Sequence, residues 1–405
     1  MVKKLWNKNF ILLSQGAAVS LIGDLMYSVA IGYWVYQQTG SNSLMGIMSS
    51  ISMFVTMFIS PFSGTIVDKL NRKWVLVLGD AFQGLLMITV GVLALTDKLS
   101  VPIVLIAAFL AAFGGVFYSP ASNTVLIDIV PRDDLVRAQS LFSGVSSIIN
   151  MVGTAFSGAI VALLGVPLII IINGCSNIYS AISEMLITVP KTSRQGEKVS
   201  IKGIWSDTKM AVKTIFENPC LRIFFPCAIL LNFLAAGPFT LMLPFTIEKG
   251  FQIEQYGILM SMTTVGSLVG VILLGAFKFS AKVRYWILAI GFSLSIVCWI
   301  FAYQSTSFIS VCVWMFLGSF FNCVGNTVFN ASMMLALPEG NRGAILGFTS
   351  AATVGGCALS AVIYGVLGDI FPLYITFTVG SVLTLAPMLY LCFNKEIKAF
   401  ILENT

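Results

Sequence analysis

A single carboxylate, Asp24, stands midway along an apolar run that extends from Phe10 to Tyr36. At the centre of a lipid-spanning helix a charge costs roughly 2.5–3.5 kcal/mol even on a forgiving insertion scale, so something must justify it. Ser20, Asp24, Tyr27 and Ser28 recur at helical spacing and share one face, which gives the carboxyl polar company. Desolvation disfavours a carboxylate anion, so the chemistry on offer is proton exchange, the balancing of a cationic ligand, or both in turn. The competing structural reading is a protonated Asp24 tied into hydrogen bonds between helices.

A second cluster, Gly64, Asp68, Arg72 and Lys73, sits between two long apolar runs, with Lys69 inside it. Between spans of bilayer length, such a cluster forms a tight turn at the membrane surface, and its chemistry is ion pairing. Neutral polar groups form a third set. Asn322, Asn326 and Asn330 recur every four residues, Asn150 lies mid-span in its own run, and Tyr118 to Asn123 make a polar patch around Pro120. Amides on one stripe line a cavity or stitch helices together for about 0.6 kcal/mol per contact. Asp80 and Glu184 each fall near one end of a span, where they are expected to reach the interface or a loop cation.

Several chemistries are excluded. The chain has no histidine, and its eight cysteines include no C-x-x-C pair. A His-ligated metal, a His-activated nucleophile and a His proton relay are therefore absent. No cofactor, metal or enzymatic activity is expected. The net charge of +6 does not point to nucleic acid, because the basic residues lie in short hydrophilic breaks without interleaved aromatics.

The elements that position these residues are legible from hydropathy. Of 405 residues, 57% are hydrophobic and only 10% charged. Soluble domains carry about 25% charged residues, so most of this surface faces lipid. Apolar runs predict twelve helices over 10–37, 43–67, 74–96, 101–128, 136–164, 166–190, 220–247, 255–279, 285–303, 306–336, 343–368 and 371–393. The expected organisation is a six-helix bundle over 1–190, a linker over 191–219 with an amphipathic surface helix, and a second six-helix bundle over 220–405. Of the 23 Lys and Arg residues, only Lys98 and Lys249 fall outside the N-terminus, the even-to-odd loops and the C-terminus. Both termini are therefore expected on the cytoplasmic side.

The two halves also resemble each other. At an offset of 211, Gly46-Ile47 meets Gly257-Ile258 and Gly64 meets Gly275. At an offset of 205, Arg137 meets Arg342 and Pro167 meets Pro372. This pattern predicts duplication of a six-helix unit. Asp68 and Asp24 fall opposite Phe279 and Ala235, so charge chemistry is kept in the first copy and largely removed from the second.

Four places carry a resemblance to a known family. They are Ile22-Gly23-Asp24 with Thr39-Gly40-Ser41, Gly64 to Lys73, Asp80, and Gly115 through Pro120-Ala121 and Val130-Pro131 to Arg137-Ala138. Together they resemble the major facilitator superfamily, in the branch of macrolide-efflux-type drug:proton antiporters and siderophore exporters. The resemblance implies an all-α integral membrane fold of twelve helices in two bundles. It also implies a cytoplasmic gate in which Asp68 meets the end of helix 11 and Arg72 pairs with Asp128. The chain departs from the pattern in Lys69 where Arg is usual, in Ser122 and Asn123 where many antiporters carry Arg, and in Gly153-Thr154 where exporters carry Gly-Pro.

The expected function is secondary active export of amphipathic small molecules, cationic ones included, across a bacterial-type cytoplasmic membrane, coupled to protons and working by alternating access. The expected partners are that substrate, protons and membrane lipids, and the expected state is a monomer. Lysolipid, siderophore or metabolite transport is one alternative. A non-transporting regulatory or assembly partner with the same fold is another.

Overall fold

A computed structural model describes residues 5–189, 209–210, 212–276, 281–337, 342–394 and 398. Most of the linker with its predicted amphipathic helix, and the second-half counterpart of the charged turn at Lys278, lie outside the described residues. The described chain is nearly all helical, and twelve of its helices are long and apolar enough to cross a membrane. The chain is a multi-pass membrane protein.

The first six helices are α1 (Lys8–Thr39), α2 (Asn42–Lys69), α3 (Arg72–Leu95), α4 (Val101–Ile129), α5 (Leu135–Leu164) and α6 (Val166–Met185). They are followed by α7 (Pro219–Thr240), the short α8 (Met242–Glu248), α9 (Ile253–Ala276), α10 (Ala281–Gln304), α11 (Phe308–Ala336), α12 (Arg342–Ile370) and α13 (Leu373–Phe393). Local chemistry sets their ends. The Asn7 carboxamide accepts from Phe10 N at 2.9 Å to start α1, and Gly40 closes it in the left-handed region at φ 60°.

The predicted span 220–247 is divided at Leu241. Pro238 has no N–H to give the Leu234 carbonyl, and that carbonyl instead accepts from the Tyr364 hydroxyl at 3.1 Å. Ser360 Oγ accepts from Gly237 N at 2.9 Å, one residue before the proline. In an apolar surround a freed backbone group needs such a substitute, and Tyr364 of α12 supplies it.

Contacts divide the chain into two compact units. One contains Met1–Gly40 and Ile51–Ile201, the other Ser41–Ser50 and Lys202–Thr405. The same four pairings recur in each. In the first unit, α3 pairs with α6 and α4, and α1 with α6 and α5; in the second, α10 pairs with α13 and α11, and α7 with α13 and α12. Large apolar side chains such as Phe58, Leu163 and Phe393 point outward, as lipid-facing surfaces require.

In the second unit carboxylates hold two helix starts. Asp369 accepts from the backbone of Asn42 at 2.6 Å and Ser43 at 3.1 Å, and from Ser41 Oγ at 3.0 Å, at the first turn of α2. Glu248 accepts from Leu373 N with both oxygens, at 3.2 and 3.1 Å, at the start of α13. Negative charge at a helix N-terminus is stabilising by about 0.3–1 kcal/mol, which accounts for both placements.

Candidate functional site

Inside the first unit, α6 presents a continuous polar stripe made of Asn173, Ser176, Asn177, Ser180, Ser183 and Glu184. These positions fall every three or four residues and so share one helical face. Helix α1 lies directly against it, because a Cβ on Gly23 would overlap Ser176 Oγ and stand 2.6 Å from Asn173 Oδ1. Asp24, the next residue, is thereby delivered to the Asn173 and Asn177 amides. Its Oδ1 also accepts from Gln83 Nε2 of α3 at 3.5 Å.

The company of Asp24 thus comes from α3 and α6 more than from its own helix. Ser20 and Ser28 share its helical face, but their hydroxyls donate to the carbonyls of Ala17 and Leu25. Tyr27 adjoins it one turn along.

Asp80 and Glu184 do not reach an interface. They are 4% and 1% exposed, and no ion pair reaches them among the described residues. Helices α3 and α6 approach backbone to backbone, with a Cβ on Gly84 only 2.8 Å from the Gly174 carbonyl, and that seam traps the side chains it carries. The α6 stripe was present in the sequence and would have located both carboxyls. Its three-to-four-residue spacing is the signal that an inventory of charges alone passes over. Tyr118 of α4 adjoins Glu184, and Ser180 adjoins Asp80. Asp80 Oδ2, both Glu184 carboxyl oxygens, Ser180 Oγ and the Tyr118 hydroxyl are buried outside hydrogen-bonding geometry.

At the α2–α3 turn, Arg72 reaches both acids. It donates to Asp128 Oδ2 at 2.8 Å and to Asp68 Oδ1 at 3.0 Å. The Arg72 side chain is 10% exposed, against 22% for Asp128 and 50% for Asp68. The Asp128 arm is therefore the stronger, since exposed i,i+4 pairs are worth only about 0.3–0.5 kcal/mol. Lys73 is half-buried beside Arg72, and Gly64 has open space where a Cβ would stand.

In the second unit a cavity of about 260 Å³ lies among α7, α10, α11, α12 and α13. Asn232, Asn322 and Asn326 supply its amides, Phe239, Trp299 and Phe329 its rings, and no charged side chain lines it among the described residues. Asn326 Nδ2 donates to Asn322 Oδ1 at 3.0 Å. The Trp299 indole N–H is buried without a hydrogen-bond partner, and that edge of the ring lies against Gly318 of α11, where a Cβ would stand 2.5 Å from Nε1. Asn330 and Asn150 stand on exposed faces of α11 and α5, and the Asn150 amide donates to the Ser146 carbonyl of its own helix.

The indole gives a sharp expectation. Trp299→Phe removes a buried unsatisfied donor and keeps an aromatic wall, so thermal stability in detergent should hold or rise. A clear drop in melting temperature would mean that the indole N–H is engaged after all.

Among the described residues no group of three or more His, Cys, Asp or Glu is placed to hold a metal. The geometry offers buried carboxyls in one unit and, in the other, an amphipathic cavity without a charged side chain among the described residues.

A family model described as Major Facilitator Superfamily matches residues 13–275 and 225–398. Macrolide efflux protein A of Streptococcus pyogenes is 25% identical over 186 residues, which is 46% of this chain and 46% of that protein. The match thus spans less than half the length of that relative. An uncharacterized MFS-type transporter, YjbB of Bacillus subtilis strain 168, is 20% identical over 99% of this chain and 98% of its own. Among solved structures, the nucleoside transporter NupG superposes with a TM-score of 0.72 at 14% identity, covering 96% of this chain and 98% of that one. At that identity the superposition speaks for the fold alone.

Proposed function

Because the chain belongs to the Major Facilitator Superfamily, we propose that it exports amphipathic small molecules across a bacterial cytoplasmic membrane by proton-coupled alternating access. The observation that carries this reading is the separation of two chemistries. Carboxyls able to exchange protons are gathered inside the first unit, around Asp24. The second unit keeps a cavity whose amides and rings suit a molecule with both polar and flat apolar parts. Its described lining has no acid, so it holds a ligand through amides and rings rather than through a counter-ion. Similarity to a macrolide efflux protein supports the outward direction.

In this reading the termini face the cytoplasm, as the distribution of Lys and Arg requires. The Arg72–Asp128 pair with Asp68 then serves as a cytoplasmic latch, with Gly64 and Lys73 in the same turn.

Everted membrane vesicles test the proposal. With the lumen acidified, adding erythromycin should release protons from it, and Asp24→Asn should abolish the release while the protein stays folded. Unchanged coupling in that variant would remove Asp24 from the mechanism. Lysolipid translocation without a proton signal would replace the drug reading with a lipid one.

A further inference from the structure

We infer that Asp24, Asp80 and Glu184 form a proton path inside the first unit, leading along α6 toward its C-terminal end. This rests on the proton-coupled reading above and gives its protons a route that does not pass through the substrate cavity. The three carboxyls are strung along α6. Asp24 lies at the level of Asn173 and Asn177, Asp80 beside Ser180, and Glu184 one residue before the helix ends at Met185. With a rise of 1.5 Å per residue, Asn177 to Glu184 covers roughly 10 Å along the helix. The path therefore runs from mid-span toward one face, with Glu184 still covered by the buried cluster of Leu13, Leu76 and Ile187.

The burial pattern favours this arrangement over a structural one. Buried carboxyls are ordinarily paired or hydrogen-bonded. Here Asp80 Oδ2 and both Glu184 oxygens have no partner in hydrogen-bonding geometry, and the Ser180 and Tyr118 hydroxyls between them are likewise unengaged. The titratable groups facing the path are Asp24 and Tyr27 from α1, Asp80 from α3, Tyr118 from α4 and Glu184 from α6. Helix α5, which also packs on α1, has one titratable residue, Arg137, and it is exposed in the first turn. Arg72 is engaged by Asp68 and Asp128. No base neutralises the column among the described residues, and the carboxyls are strung out rather than gathered around a metal-sized space.

Each step is a proton transfer between oxygens. Glu184, 1% exposed, gives up its proton first, to water reaching the end of α6. The Asp80 O–H bond then breaks as one forms on the Glu184 carboxylate, and the Asp24 O–H bond breaks as one forms on the Asp80 carboxylate, so the single negative charge moves inward. Ser180 and Tyr118 can bridge by accepting one proton on the hydroxyl oxygen while donating their own. Like charges in a low-dielectric interior repel, so the column carries its negative charge one site at a time.

Purified protein in proteoliposomes separates proton movement from substrate movement. Erythromycin, ethidium and lysophosphatidylethanolamine serve as probes. Glu184→Gln and Asp80→Asn should lower probe-driven proton flux at least 10-fold, leaving probe counterflow, which moves no net protons, at the wild-type rate. Glu184→Asp should restore most of the flux. Tyr118→Phe, which removes only a hydroxyl, should slow flux several-fold and covers the case in which a carboxyl variant does not fold. Wild-type flux in Glu184→Gln, Asp80→Asn and Tyr118→Phe alike overturns the path and leaves the coupled reading standing. Absence of proton movement in the wild type with all three probes overturns both. Activity that requires Na+ or Ca2+ and moves no protons overturns the path in favour of a cation site on the same oxygens.

Discussion

Gly84→Val will destabilise the first unit by about 3 kcal/mol, near the upper end for overpacking a tight interior. A Cβ at position 84 would stand 2.8 Å from the Gly174 carbonyl oxygen and 2.7 Å from Ile178 Cγ1. The first of these is backbone, and it cannot rotate away as a side chain can. The helices must separate, and the seam that holds Asp80 and Glu184 opens with them. Gly79→Val is the matched control on the same helix, because a Cβ there meets nothing within 4 Å. A helical glycine costs about 0.5–1 kcal/mol against Ala and β-branched Val recovers only part of that, so this variant should be neutral or slightly stabilised. Thermal unfolding in detergent, followed by size-exclusion, reads both. Equal melting of the two variants would mean that the α3–α6 contact is not close.

The second large effect is expected at Arg72. Breaking a fully buried pair by removing one partner costs about 3–5 kcal/mol, because the other charge is left uncompensated. Asp128 keeps 22% exposure, so Arg72→Ala should cost less, about 2–3 kcal/mol. Asp128→Asn should approach that loss, whereas Asp68→Asn should cost only about 0.5 kcal/mol, as for an exposed i,i+4 pair. Arg72→Lys should recover little, since an ammonium is a point charge and lacks the fork that reaches both acids. The same series tests the proposed latch. If the pair times opening, Arg72→Ala also lowers transport beyond what its folded fraction explains. A loss confined to the Asp68 arm would reverse the ranking drawn from exposure.

These expectations show which features were legible at each level. Twelve spans could be read from the sequence because apolar length is a local property, and lipid tolerates little else over about 20 residues. Asp24 was equally visible, because one charge in a long apolar run stands out on cost alone. The division of the seventh span was not foreseen, although Pro238 was in plain view. A helix can run on past a proline where a neighbour satisfies the freed group, and here Tyr364 of α12 takes the Leu234 carbonyl while the helix ends only at Leu241. Proline alone does not tell how α7 ends.

Asp80 and Glu184 show the limit most clearly. Their distance from a span end suggests access to the surface, but access depends on which neighbour lies against that face. Only the packed α3–α6 seam, closed by Gly84 and Gly174, places them inside with Asp24. The converse holds for the asparagines. Spacing makes Asn322, Asn326 and Asn330 equivalent, yet the fold turns two into a cavity and leaves the third exposed.

By itself, then, the sequence determined the membrane class, the number of spans, the two-fold repeat and the loss of Asp24 and Asp68 counterparts from the second copy. These follow from composition and period, which each segment carries independently. The tertiary structure alone decided which polar residues share an interior. That choice is made by close contact between segments far apart in the chain, and no local pattern records it.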